Sequence, residues 1–479
     1  MKKISFFMLF LLVVMVSALA GISSWIGLKV KDSFQQNYQQ LSQLDKLEIK
    51  DIEHEPSVFQ STASVVICLK DAFPSKDKTK EIEAPCFNIE HKIQHHPFIS
   101  LFQSGQFNPQ IALVNSYLKI QEPYQEVQQQ FFGDDAPIRF KTKFFYNGDL
   151  KIYSHSPQAS FVDDEKKSTV NWSGFKGYGI ITEHGTKIVS KLLIPSLKIQ
   201  SAEGLIALNS ILVRMNQSMT EENLWLGKSM IKLDEIHIKN MNEEPSDEKQ
   251  FKVSDFFVLT KDRVNGDNID MDMLLKFKSS MINALEIEKG YLKWDLKNIE
   301  KSAFIELKKL MSGLTDQTSL VGNTVTAQIM ALLKNSPLYH MKVAVKTQEG
   351  TIYGRLDVKY DANSAGQGVN IIAASNAASG DAFVQIPQSI TRAALKKKVE
   401  KTVQLKISKG EQSLPEGVDL NQIVEVAVSQ QINTLLQQGY MRTNKENYIA
   451  KIKYENGNIS LNRKKFPIIQ MLMMSMSKK

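Results

Sequence analysis

Cysteine is almost absent from this chain: Cys68 and Cys86 are its only two, and no zinc-finger spacing is present. Histidine is scarce as well, with eight residues scattered along the sequence. The lack of a His-Glu-x-x-His run excludes the zincin arrangement of two ligands one helical turn apart. No serine sits in a Gly-x-Ser-x-Gly elbow and no Gly-x-x-x-x-Gly-Lys-Ser/Thr loop occurs, so neither a hydrolase nucleophile turn nor a phosphate cradle is written here. RNP-type motifs and repeats of fixed period are missing too. The net charge of +8 comes from lysines spread along the chain, concentrated at Lys396, Lys397, Lys398 and Lys401 and at Arg463, Lys464 and Lys465. Without interleaved aromatics these runs make no nucleic-acid surface. A solvated face, or mild attraction to anionic lipid headgroups, explains them. The reading therefore includes no nucleic-acid partner, no cofactor and no metal.

One long stretch lacks charge altogether. Residues 4–28 run 25 positions without a charged side chain, between Lys2 and Lys3 on one side and Lys29 and Lys31 on the other. At ~1.5 Å per residue a helix of this length crosses ~30 Å of hydrocarbon. Two readings compete. Ala18, Leu19 and Ala20 before Gly21 supply a signal-peptidase site, whereas apolar character resumes at Ile22, Trp25, Ile26 and Leu28, with Trp25 placed as an interfacial anchor. The anchor reading puts residues 1–28 in or across a membrane, with a helical stalk at 29–60 and a folded domain at 61–479. With 42% apolar residues the folded part can bury a sizeable core.

Cys68 and Cys86 flank a polar loop, each on a strand-like segment. In an oxidising compartment they invite a disulfide; the alternative is a pair of buried thiols. Neither reading makes them catalytic.

From about residue 65 to 360 the dominant pattern is alternation. Ile138, Phe140, Thr142, Phe144 and Tyr146 share one face, with Arg139, Lys141 and Lys143 on the other, before a hairpin turn at Asn147 and Gly148. Met271, Met273, Leu275 and Phe277 alternate with Asp272, Lys276 and Lys278. Leu292, Trp294 and Leu296 repeat the pattern, as do Met341, Val343 and Val345. Strands with one dry and one wet face point to antiparallel sheet. Helical spacing appears at Phe304, Leu307, Met311 and Leu314, at Val321, Val325, Ile329 and Leu332, and in two late segments around Leu395 and Leu420. These helices are expected to cover the dry side of the sheet. A loop rich in small residues, 362–380, is a candidate internal boundary.

The candidate chemistry is thin. His91, His95 and His96 form the one histidine cluster, but the strand-like alternation around them spreads the side chains over two faces. Asp163, Asp164 and Glu165 beside Lys166 and Lys167 read as a solvated turn. No catalytic residue is singled out. Trp172, Trp225 and Trp294 are candidates to line an apolar groove, or else anchors of the sheet's dry face.

Ser24-Trp25-Ile26-Gly27-Leu28-Lys29, Ile89-Glu90-His91-Lys92-Ile93-Gln94-His95-His96-Pro97, Asn171-Trp172-Ser173-Gly174-Phe175-Lys176-Gly177, Leu224-Trp225-Leu226-Gly227 and Asn456-Gly457-Asn458-Ile459-Ser460-Leu461-Asn462 follow one another in order along the chain. Together these segments resemble the bacterial YdgA-like family, membrane-anchored envelope proteins of unknown function. His96 and Arg463 stand where that pattern has glycine. The resemblance implies a single-pass inner-membrane protein with its bulk in the periplasm, and it transfers no catalytic residues. The expected fold is α+β: a large curved antiparallel sheet packed with helices, preceded by one N-terminal transmembrane helix. The expected role is non-enzymatic, binding a lipid or a membrane-protein partner. The alternatives are an envelope hydrolase acting on a periplasmic polymer and a scaffold that forms homo-oligomers.

Overall fold

The computed structural model describes residues 47–69, 86–95, 110–122, 125–163, 167–182, 185–240, 250–282, 285–312, 327, 329–364, 376–408 and 419–466. The chain divides into two compact units, one taking Met1–Thr220 and Ser229–Glu248, the other Glu221–Lys228 and Lys249–Lys479.

In the first unit, long alternating segments pair as neighbours in sequence: β1 (Leu47–Glu55), β2 (Gln60–Leu69), β3 (Cys86–Gln94), β4 (Gln110–Ile120), β5 (Ile138–Phe145) and β6 (Leu150–Ser156) form an antiparallel run. β6 continues into β7 (Ala159–Asp163). Opposite them lie β8 (Ser168–Trp172) and β9 (Phe175–Thr182), in line with one another, and both pair with β10 (Lys187–Gln200), which pairs in turn with β11 (Gly204–Met219). The break between β8 and β9 falls at Gly174, whose φ of +74° suits glycine. There the Ser156 carbonyl lies so close that a side chain would strike it. Helix α1 (Gln125–Phe132) is tied to β4, where Ile120 N donates to Gln128 Oε1 at 2.6 Å. It reaches β7 through the stacked rings of Phe131 and Phe161, 4.8 Å apart. Val65, Ile93, Ala63 and Ala112 are buried on the β2–β4 side of this sheet. Strand β12 (Trp225–Asn240) follows.

The second unit repeats the scheme. β13 (Gln250–Asn265) pairs with β14 (Asn268–Phe277) and with β15 (Ser279–Ile282), which run in line either side of Lys278. Next come β16 (Leu285–Glu300), β17 (Leu338–Thr347), β18 (Gly350–Tyr360) and β19 (Ala378–Pro387), each antiparallel to the one before. β20 (Arg442–Asn444), β21 (Asn447–Glu455), β22 (Asn458–Leu461) and β23 (Lys464–Phe466) close the unit, with β21 against β19. Helix α2 (Lys301–Ser312) extends from the end of β16. Helices α3 (Gln388–Ser408) and α4 (Leu420–Gln437) pack on each other. Asp419 caps α4 by accepting from Asn421 N at 3.2 Å. Val424, Val428 and Ile432 of α4 enclose Tyr448 of β21, with Leu395 and Val399 of α3 against them.

This architecture corrects the expected fold. Antiparallel strand dominates, and the helices do not form a layer over the sheet. The reason lies in α3, whose run of lysines leaves no apolar stripe wide enough to cover a sheet face. Residues 47–55, assigned by sequence to a helical stalk, form β1, since Leu47, Ile49 and Ile52 follow strand spacing. Among the described residues no helix is long and apolar enough to cross a membrane. The apolar run 4–28 that led to the expected transmembrane helix, and the loop residues 365–375, lie outside the described residues.

Candidate functional site

The sheet of the second unit has two chemically distinct faces, fixed by register. On one, Val258, Leu275, Leu292, Val343, Gly354, Val384 and Ala450 are paired in turn across seven strands. Beside them runs a second row, Thr260, Met273, Trp294, Met341, Leu356, Ala382, Ile452 and Leu461. A third row carries Met271, Leu296, Tyr339, Val358 and Tyr454. No member of the first two rows is buried; Val384 is 37% exposed, and the others are intermediate. The α3–α4 pair reaches this face at its Tyr448 end. In the middle it is an apolar sheet surface only half removed from water.

The opposite face is ionic. Lys261, Asp272, Asp295, His340, Asp357, Asp381, Lys453 and Ser460 stand opposite one another across eight strands in a single row. Asp272 and Asp295 hydrogen-bond to each other. Burial, together with the neighbouring Asp295, raises the Asp272 carboxyl above its ordinary value, against the opposing pull of Arg263 and Lys297. Burial acts to raise Asp295 too, but the Lys293 ammonium at 3.0 Å and the bond from Asp272 outweigh it and hold Asp295 below the usual range. Of the two carboxyl groups, Asp272 is therefore the one that takes up a proton first as pH falls. His340 bonds to Asp357, which also receives Arg355 Nε at 2.9 Å. Asp270, almost wholly buried, accepts from Asn298 N at 3.1 Å and from Arg263 Nη2 at 3.3 Å, pinning a bulge between β14 and β16.

Two concavities open on the ionic face. One, about 330 Å³, is lined by Leu259, Lys261, Arg263, Asp272, Lys293 and Asp295 among others. The other, about 550 Å³, centres on Tyr353, Phe383, Arg355, Lys451 and Arg463. Among the described residues no cluster of three His, Cys, Asp or Glu side chains is placed to hold a metal ion.

The residues singled out by sequence fall as follows. Cys68 and Cys86 are cross-strand partners on β2 and β3 and form a disulfide, with Cα atoms 4.1 Å apart. Trp172 donates to Ser156 Oγ at 2.8 Å and meets Phe175 edge-on. Trp294 sits in the apolar row with Tyr339 beside it. Trp172 and Trp294 belong to different units, and none of Trp172, Trp225 and Trp294 lines the concavities above. His91 lies on β3 and His95 just past its end, both turned inward; the expected spread over two faces turns on His96, which lies outside the described residues. His91 and His95 are sealed in the first unit's interior. His91 Nδ1 lies 2.8 Å from Ser116 Oγ, and His95 Nε2 lies 2.8 Å from Ser61 Oγ. Burial lowers the His91 pKa to about 4. Sequence reasoning missed the ionic row of Asp295, His340, Asp357 and Asp381. Its only signal was the polar half of each alternation, which becomes a row only once register is known.

A family model described as "Bacterial protein of unknown function (DUF945)" matches residues 1–468. No curated protein and no solved structure matches the chain. With a match over nearly its whole length, the chain belongs to the DUF945 family of bacterial proteins of unknown function.

Proposed function

We propose that the chain is a non-enzymatic envelope protein of the YdgA-like type that holds a lipid along the apolar face of its second unit. On this reading the protein is held at the inner membrane with the bulk of the chain in the periplasm, a location supported by the uncharged sequence run 4–28. The observation that carries the reading is the pair of apolar rows across seven strands, none of whose members is buried. Strands ~4.8 Å apart make such a face roughly 30 Å long, an apolar patch of the size that marks an interaction surface. A disulfide suits an oxidising compartment, and the lysine excess suits anionic headgroups.

The hydrolase reading draws on Asp272 and Asp295, but these carboxyl groups touch, whereas glycoside hydrolysis needs them ~5–5.5 Å or ~6.5–9.5 Å apart. The two Ser–His pairs are buried and line neither concavity.

Native mass spectrometry of the full chain, extracted gently from its own membrane, tests the proposal. A lipid-sized adduct, lost when Leu292 and Val343 are changed to Asp, is the expected result. A bare monomer, or a ligand-free dimer burying this face, overturns it in favour of an unloaded or self-associating scaffold.

A further inference from the structure

The larger concavity lies on the ionic face, opposite the apolar rows, and has its own construction. Arg355, Phe383 and Lys451 are direct cross-strand partners on β18, β19 and β21, so an aromatic ring is flanked on both sides by a cation in the same row. Tyr353 lies beside it, its ring 6.0 Å from that of Phe383 and tilted by 52°. Lys451 Nζ stands 5.9 Å over the Phe383 ring. The adjacent row supplies Asp381 and Ser460, an acceptor and a hydroxyl.

Arg463 completes the rim at a conformational cost. It occupies the second position of the two-residue turn between β22 and β23, where φ is +77°, a conformation that favours glycine. Asn462 before it, at φ +50°, is buried and held from several directions. Its side-chain oxygen accepts from Lys451 N at 2.8 Å, its amide donates to the Gly439 and Tyr440 carbonyls at 3.0 Å each, and its own carbonyl accepts from Arg442 at 2.6 Å. A network of this kind keeps a non-glycine residue left-handed, and strain retained beside a cleft points to use. Lys453 is already engaged by Glu455, and Arg355 by Asp357. Lys451 and Arg463 have no ion-pair partner among the described residues.

We infer that this concavity is a binding site for an anionic saccharide, with the sugar ring over Phe383 and Tyr353, its acidic group between Lys451 and Arg463, and its hydroxyls on Asp381 and Ser460. The aromatic floor takes the C–H face of a sugar ring, and the guanidinium fork takes a phosphate or carboxylate. A volume of about 550 Å³ accommodates one or two such rings. This site is separate from the apolar face, and either can fail alone.

Saturation-transfer NMR on the full chain tests it, with glucose 6-phosphate, glucuronate, glucose and inorganic phosphate as probes. Both sugar acids are expected to show ring-proton transfer, the stronger one identifying the acidic group, while glucose binds more weakly. Arg463→Gly should weaken binding roughly fivefold, the loss of about one ion pair, with the thermal midpoint unchanged or raised, because glycine relaxes the left-handed turn. Phe383→Leu should reduce ring-proton transfer selectively. Equal affinity for inorganic phosphate and sugar phosphate, or affinities unmoved by both substitutions, would overturn the inference.

Discussion

His91 shows what burial does to one titratable group. With its pKa lowered to about 4 in the fold and near 6.5 when unfolded, the unfolded chain binds the extra proton across that interval. Stability is then lost as pH falls from about 6.5 to about 4 and is flat with respect to this group outside it. The span allows on the order of 3 kcal/mol. Urea midpoints measured between pH 7 and 4 should therefore fall more steeply for the parent protein than for His91→Gln. Asp272 has the opposite sign. Its folded pKa is raised, so it adds stability in acid that is lost as pH rises. Asp272→Asn, which fixes the protonated form's hydrogen-bond donor beside Asp295, is expected to raise the thermal midpoint at pH 7 and to lose that gain in acid. Cys68–Cys86 closes a loop with a separation of 18, so Cys86→Ala should cost about 3 kcal/mol in non-reducing denaturation. The same loss should follow when the parent is reduced.

At the scale of elements, the strands were legible where alternation met a strong turn. The Asn147-Gly148 hairpin between β5 and β6 is an example, as are Leu292, Trp294 and Leu296 on β16. The alternation named each strand's faces but not its partners, so the ionic row through Asp295 and His340 emerged only from pairing. The helices were legible by spacing, at α2 and α4, but not by position: spacing finds an apolar stripe without saying whether it meets a sheet face or another helix. Segment 47–55 was missed because a Gln-rich run precedes it and charged residues fill its wet face. Within β16, Gly290 lies beneath the Phe277 ring, leaving no room for a side chain. Gly290→Val should destabilise the second unit by about 1–3 kcal/mol, read as a lower denaturant midpoint with an unchanged slope.

For the whole molecule, composition and the missing motifs narrowed function by exclusion, and the family match names a group whose function is not known. The lipid-holding reading rests on a surface property, the half-exposed apolar rows, and no single residue in the sequence encodes it. Trp294 and Lys293 offer the sharpest test because they are adjacent on β16, pointing to opposite faces. A photo-crosslinking amino acid placed at one or the other in the full chain, activated in the intact bacterial membrane and analysed by mass spectrometry, reads each face separately. Lipid adducts at position 294 and none at 293 are the predicted result; no lipid at 294, or equal capture at both positions, would contradict the assignment of the apolar face as the lipid-holding surface.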